Sequence, residues 1–242
     1  MPGSAYSALS GMQTRLEELD RIAADLANTG TAGYKIERSG SFAAERQAFT
    51  TALNSAVDVV SGSKRVDFRP GTISTTGRNL DVAIEGKGFF AIETPGGVRY
   101  TRNGSFTRGA DGTLTTATGE PVANDGGAGP IRLKPGEVAI DGDGTVRVDG
   151  TVAGKIKVVQ FDRDEDLVRE SGSRFRAIAG AEAKPADGAR LVSGALEQSN
   201  ASAVDLMAKL TEVTRSFETL QRGVSLLNND LDGRAISELA RR

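Results

Sequence analysis

Two acidic runs contain the residues that could ligate calcium. They are Asp141-Gly142-Asp143-Gly144-Thr145 and Asp162-Arg163-Asp164-Glu165-Asp166. A calcium-binding EF-hand loop requires glycine at its sixth position and glutamate at its twelfth. The first run has Val146 and Val152 at those positions, and the second run also lacks both residues. The sequence therefore favours solvated turns, and we predict no metal ion.

Two glycine-rich stretches resemble nucleotide-binding loops. Residues 86–91, GKGFFA, match the dinucleotide pattern G-x-G-x-x-A, but the residues after them end a strand, whereas the pattern requires a helix. We interpret them as a β-hairpin turn. Residues 150–155, GTVAGK, are one residue short of a phosphate-binding P-loop, and Ile156 replaces the hydroxyl residue that holds Mg²⁺. We predict no cofactor.

The composition excludes several classes of enzyme. The 242 residues contain no histidine and no cysteine, which removes histidine-dependent triads, thiol nucleophiles, disulfides and the usual zinc ligands. The 32 acidic residues leave carboxylate-based glycosidase chemistry open, so a carbohydrate-active β domain is the rival hypothesis. However, stacking platforms for sugars are scarce, with no tryptophan and three tyrosines. The net charge of -2 argues against nucleic-acid binding.

Glycine and proline divide the chain into three regions. Most of the 30 glycines, and every proline except Pro2, lie between residues 60 and 198. Short apolar runs separated by turns such as Asp111-Gly112 fill this central region, which predicts antiparallel strands. The flanking regions contain few glycine or proline residues, which predicts helices. The predicted fold class is therefore α+β, with helices at both ends of a central antiparallel β-rich domain.

Both helical regions carry a seven-residue repeat of apolar positions. In the N-terminal region the first row holds Leu9, Leu16 and Ala23, and the second row holds Met12, Leu19 and Leu26. In the C-terminal region the rows are Ala203, Leu210, Phe217, Val224 and Leu231, and Leu206, Val213, Leu220 and Leu227. Two narrow seams of this kind favour packing of helix on helix. We expect the terminal helices to pair with each other as a discontinuous coiled-coil domain.

The domain boundaries are set by these patterns. We predict a helix of the coiled-coil domain in residues 1–34, a connector in 35–69, a β-rich domain in 70–198 and the second coiled-coil helix in 199–242. The connector includes a possible short helix near Phe42–Phe49. The first residues, MPGSAYSALSG, lack the basic and apolar regions of a cleaved signal peptide, and no stretch has the length of a membrane span.

Four segments carry a resemblance to a known family. Residues 25–35, DLANTGTAGYK, resemble the signature that closes the N-terminal helix of bacterial flagellar rod and hook proteins, with Asp25 and Tyr34 as mild departures. Residues 77–90, GRNLDVAIEGKGFF, residues 100–106, YTRNGSF, and residues 196–200, LEQSN, resemble further segments of that family in the same order. Residues 36–69 and 125–190 have no distinctive match.

The resemblance implies a structural protein and no enzyme. It implies a subunit of the proximal rod of the flagellar basal body, with a distal rod or rod–hook adaptor component as the alternative. Its partners would be other rod proteins, copies of itself and the type III export apparatus, with no nucleic acid and no small-molecule substrate. The chain would lie in the periplasmic rod after export without a cleaved signal.

The predicted assembly interface combines the heptad rows with the helix-closing signature. Asn28 and Gly33 come from the signature, and Gly30 and Gly33 are expected to adopt positive φ. The interface residues are Leu9, Met12, Leu16, Leu19, Leu26, Asn28, Gly33, Leu206, Leu210, Val213, Phe217, Leu220, Val224 and Leu227.

Overall fold

The chain forms two compact units. A computed structural model describes residues 2–39, 64–127 and 129–239, and the side chains of residues 11–38, 65–127 and 129–225. One unit contains the two long helices, and the other consists of residues 28–38 and 65–201. We call these the helical unit and the β unit. The sequence predicted residues 28–34 as part of the helical domain, whereas the structure places them in the β unit.

The helical unit contains α1 (Pro2–Ala27) and α2 (Ala203–Leu239), which pack against each other. Immediately after α1, a turn is closed by hydrogen bonds from the amide and the hydroxyl of Thr31 to Asn28, both 3.1 Å long. Ser202 caps α2, since its Oγ accepts a hydrogen bond from the amide of Asp205 at 3.3 Å. Both helices were predicted from the sequence.

The β unit is built from short strands. They are β1 (Glu37–Ser39), β2 (Lys64–Val66), β3 (Ile73–Thr75), β4 (Val82–Glu85), β5 (Phe89–Thr94), β6 (Gly97–Thr101), β7 (Phe106–Arg108), β8 (Leu114–Thr116), β9 (Val138–Ile140), β10 (Thr145–Val148), β11 (Thr151–Lys155), β12 (Val158–Gln160), β13 (Leu167–Ser171), β14 (Arg174–Ala177), β15 (Lys184–Pro185), β16 (Arg190–Ser193) and β17 (Ala195–Glu197). The largest sheet has the order β13-β14-β6-β5-β12-β15, and a second sheet has the order β11-β10-β9. The remaining pairs are β1-β2, β16-β4, β17-β3 and β7-β8. Every described pairing from β3 onwards is antiparallel, which confirms the predicted α+β class.

Strand β5 separates two hydrophobic cores. Phe90 lies in the larger core and packs edge-to-face on Phe106, with ring centroids 5.1 Å apart. Phe89 lies in the smaller core with Phe175 and with the partly buried Phe68. Because both faces of β5 are buried, its sequence reads as a continuous apolar run.

The segment GKGFFA does not form the predicted hairpin. Gly86, Lys87 and Gly88 connect β4 to β5, but β4 pairs with β16, whereas β5 pairs with β6 and β12. The turn therefore leads from one sheet into another. The possible helix near Phe42–Phe49 lies outside the described residues.

Candidate functional site

The heptad rows of α2 lie on its less exposed face. Leu206 and Val213 are buried, and the partly buried members of the rows with described side chains are Ala203, Leu210, Phe217, Leu220 and Val224. Leu220 lies over Gly11 of α1, because a Cβ atom at Gly11 would be 3.9 Å from Leu220 Cδ1. This face of α2 is the one that packs on α1.

The two predicted rows of α1 differ in burial. Met12, Leu19 and Leu26 are partly buried, whereas Leu16 is 48% exposed and Ala23 is also exposed. The most buried apolar residue of the described α1 side chains is Ile22, which belongs to neither predicted row. The side chains of Leu9 and Leu227 lie outside the described residues.

The family-like segments converge on a buried ion cluster in the β unit. This cluster consists of Lys35, Arg102 and Glu197, and each side chain comes from a different segment. Lys35 is 0% exposed and Glu197 is 1% exposed. Lys35 Nζ donates a hydrogen bond to Glu197 Oε1, and Arg102 Nη1 donates one to Glu197 Oε2 at 3.1 Å.

Backbone groups complete the surroundings of the ion cluster. Lys35 Nζ also donates to the carbonyl of Arg69 at 2.9 Å, and the amide of Gly71 donates to Glu197 Oε1 at 3.0 Å. Arg102 Nη2 donates to the carbonyl of Gly86 at 2.9 Å. The guanidinium carbon of Arg102 lies 5.3 Å from the centroid of the Phe89 ring, while its Nε is buried without a hydrogen-bond partner.

Two cations share one anion at this position, and burial shifts their titration. Burial lowers the pKa of Lys35 below its usual 10.5, although the charge and the hydrogen bond of Glu197 act in the opposite direction. Burial also lowers the pKa of Arg102 against the same opposing influence. Removing one partner of such a cluster is costly because it leaves an uncompensated buried charge.

Asn200 ties the segment after α1 to the segment before α2. Its Oδ1 accepts a hydrogen bond from the amide of Ile36 at 2.9 Å. Its Nδ2 donates to the carbonyls of Asp67 at 2.7 Å and Arg69 at 3.2 Å. Asn200 therefore holds three separate stretches of chain together.

Arg169 of β13 clamps the same segment from the other side. Its guanidinium carbon lies 4.4 Å from the centroid of the Tyr34 ring, and its Nε donates to Glu37 Oε1 at 2.8 Å. Its Nη2 donates to the carbonyl of Lys35. Arg169 was not predicted from the sequence, because it lies in the region without a distinctive motif and only the tertiary fold brings it to Tyr34.

Gly33 occupies a position that no other residue could take without a rearrangement. Its φ is +66°, and a Cβ atom there would be 2.3 Å from both the carbonyl carbon of Arg102 and the amide nitrogen of Asn103. Its amide donates to the carbonyl of Glu197 at 2.7 Å. The expectation of a positive φ is confirmed for Gly33, but it is wrong for Gly30, which lies in open space with an ordinary φ.

The first acidic run is a turn closed by its own hydrogen bonds, whereas the second contains a short 3-10 helix, Asp164–Asp166, in which Asp166 is buried. Asp143 accepts hydrogen bonds from the amide and hydroxyl of Thr145 at 3.0 and 2.9 Å, and these bonds lower the pKa of Asp143. In the second run Asp162 binds Lys184, and Asp166 binds Arg163. Among the described residues, no group of three or more potential ligands is arranged to hold a metal ion.

A cleft of about 280 Å³ lies in the β unit. Its lining includes Ile92, Thr101 and Thr116, together with Glu120 and Arg174. Glu120 is the one carboxylate among the described lining residues, and Arg174 Nη1 donates a hydrogen bond to it. A glycosidase requires two carboxylates across a cleft, so this cleft does not favour the rival hypothesis. Within the described ranges of the chain, no helix is long and apolar enough to cross a membrane.

Comparison with known proteins gives matches over nearly the whole chain. Residues 83–148 match the family described as the flagellar hook protein FlgE/F/G D1 domain, and residues 192–232 match the C-terminal family of flagellar basal body rod FlgEFG proteins. The flagellar basal-body rod protein FlgF of Caulobacter vibrioides is 34% identical over 92% of each chain. FlgF of Salmonella typhimurium is 30% identical over 97% of each chain. FlgG of Bacillus subtilis is 31% identical over 89% of this chain and 91% of its own.

Proposed function

We propose, on the premise that this chain belongs to the FlgE/F/G family of flagellar hook and basal-body rod proteins, that it is a FlgF-like subunit of the rod. It is a structural protein of the flagellar basal body. One observation carries the proposal beyond the overall likeness. The family-like segments, which are far apart in the sequence, meet at Lys35, Arg102 and Glu197, so they form one structural device.

The helical unit is the proposed assembly interface, in which α1 and α2 form a coiled-coil domain with neighbouring subunits. Three large apolar side chains of the described helical residues remain exposed, namely Leu16 at 48%, Val204 at 77% and Met207 at 55%. Covering such apolar side chains with another surface would be favourable, because it removes them from water. A contact between different faces of identical subunits does not close on itself and builds a filament.

The proposed partners are those that the family implies. They are other rod proteins and further copies of this chain. Contact with the type III export apparatus and a periplasmic location also belong to the proposal, supported by the resemblance of the four segments. The FlgF likeness supports a proximal position, and a distal position is the alternative.

The test substitutes two residues of the predicted seam together. Phe217→Ala with Leu220→Ala removes apolar contact from the face of α2 that packs on α1. Truncation of fully buried residues costs about 2–5 kcal/mol each, and less is expected for these partly buried side chains in the single chain. We expect the β unit to stay folded and incorporation into isolated basal bodies to fail.

A second variant separates assembly from helix pairing. Val204→Ser with Met207→Ser changes side chains that are exposed in the single chain, so its helical content should match the wild type while incorporation falls. Asp143→Ala, in a turn of the β unit, is the control and should assemble normally. Normal swimming and normal incorporation of both helix variants would contradict the proposal.

A further inference from the structure

The points at which the chain passes between its two units lie next to one set of contacts. The chain enters the β unit after residues 27 and 64 and leaves it after residues 38 and 201. The three neighbouring stretches of the β unit are residues 31–38, 65–71 and 195–201, which we call the anchor segments. The ion cluster and Asn200 bind all three anchor segments to one another.

We propose that Glu197 is a positioning residue for assembly, which fixes the spacing of the anchor segments from which the chain continues into the helical unit. The proposal rests on the proposed function. Glu197 acts through Lys35, Arg102 and Gly71, and as a buried residue it touches no neighbouring subunit. With Glu197 in place, only one arrangement of the anchor segments gives every buried charge of the cluster a partner.

The hydrogen bonds of the first anchor segment support this role. The amide of Gly33 donates to the carbonyl of Glu197, and the amide of Asn200 donates to the carbonyl of Tyr34 at 3.3 Å. The amide of Asp67 donates to the carbonyl of Ile36 at 2.9 Å. The backbone of residues 33–36 is thus bonded to both of the other anchor segments. A displaced segment would leave buried polar groups without partners, which is costly.

Stability alone does not account for the ion cluster. A buried ion pair often contributes no more to folding than well-packed apolar residues of similar volume would. The two hydrophobic cores of the β unit are formed by residues outside the ion cluster, with Phe90 and Phe106 in one core and Phe89 and Phe175 in the other. A buried charged cluster contributes conformational specificity, because few arrangements of the chain give every charged group a partner.

The experiment uses Glu197→Gln in the full chain, with Glu170→Gln as the matched control. Glu170 also bonds to arginine, through Arg99 at 2.8 Å, but it lies outside the anchor segments. We expect Glu197→Gln to raise hydrogen exchange at the amide of Gly71 by about tenfold or more, the change expected from losing a hydrogen bond to a charged group. The amide of Gly33 donates to the backbone carbonyl of residue 197, so its exchange should rise through displacement of the anchor segments. We expect its incorporation into basal bodies to fall, while the control stays at the wild-type level.

A second measurement separates positioning from a loss of stability. Urea midpoints of the β unit are measured for Glu197→Gln, for Asn200→Ala and for Phe106→Leu, which weakens the larger core away from the anchor segments. Incorporation that follows amide protection at Gly33 and Gly71, with Phe106→Leu assembling normally, supports the proposal. Incorporation that follows the urea midpoint across the three variants overturns it, as does normal incorporation of Glu197→Gln. Failure of the proposed function is distinguished by the seam variant Phe217→Ala with Leu220→Ala, which would then assemble normally.

Discussion

A single added methyl group at Gly33 should destabilise the β unit more than at any turn glycine in open space. Gly33→Ala places a Cβ atom 2.3 Å from the carbonyl carbon of Arg102 and the amide nitrogen of Asn103, and 2.6 Å from the carbonyl oxygen of Arg102. These atoms belong to the backbone, so no side-chain rotation relieves the overlap. The anchor segment would have to move away from Arg102.

The expected cost has three physical sources. A positive φ costs a residue with a Cβ atom about 1–2 kcal/mol. Overpacking against fixed neighbours costs about 1–3 kcal/mol. The shift would also weaken the hydrogen bond from Gly33 to Glu197, which contributes about 0.5–1.5 kcal/mol. Together they amount to about 2.5–6.5 kcal/mol in the free energy of unfolding, which extends from the upper part of the usual range for single substitutions to exceptional values.

The assay is urea unfolding of the full chain, in which hydrogen exchange of the amides in β4 to β6 reports the unfolding of the β unit. Two controls are available. Gly30→Ala meets nothing within 4 Å, and Gly126→Ala has ordinary contacts beginning at 3.5 Å, with no positive φ at either position. We expect both controls to stay close to the wild-type midpoint, whereas Gly33→Ala unfolds at a clearly lower urea concentration. A midpoint for Gly33→Ala that equals those of the controls would refute this explanation of Gly33.

Two further predictions concern charged residues that hold the anchor segments. Burial lowers the pKa of Lys35 below 10.5, so the unfolded chain binds more protons than the folded chain at pH values between the lowered pKa and 10.5, and this group makes stability rise with pH there. The rise should be absent in Lys35→Met when urea midpoints are compared below pH 10, and an identical slope of midpoint against pH in both proteins would contradict the prediction. Arg169→Lys should lower the free energy of unfolding by about 1–2 kcal/mol, because lysine cannot both stack on Tyr34 and donate to Glu37 and the carbonyl of Lys35. Arg176→Lys, at an exposed position, is the control, and equal urea midpoints for the two variants would show that the contacts of Arg169 contribute little.

The helices could be predicted because their signals are local. The heptad rows of α2 rest on spacing within one element, and the structure places Leu206 and Val213 on its buried side as that spacing indicates. The rows of α1 were predicted less well. A heptad pattern identifies apolar positions, but the partner surface decides which of them is covered, so Ile22 is buried while Leu16 is exposed.

The anchor segments could be recognised from the sequence as family-like motifs, but their interaction could not. Lys35 and Glu197 are 162 residues apart, and no pattern of spacing relates them. Arg169 had no motif at all. Contacts of this kind depend on how strands pair over long distances, which is set by the packing of the whole β unit.

The sequence by itself determined the order of helix, antiparallel strands and helix, and the absence of histidine and cysteine chemistry, because composition and short-range periodicity carry both. The tertiary structure alone decided why the family-like segments belong together. Gly33 needs its missing side chain because the backbone of Arg102 passes beside it, and Lys35 can be buried because Glu197 meets it there. Charges that would be costly in isolation become specific when the fold gives each of them a partner.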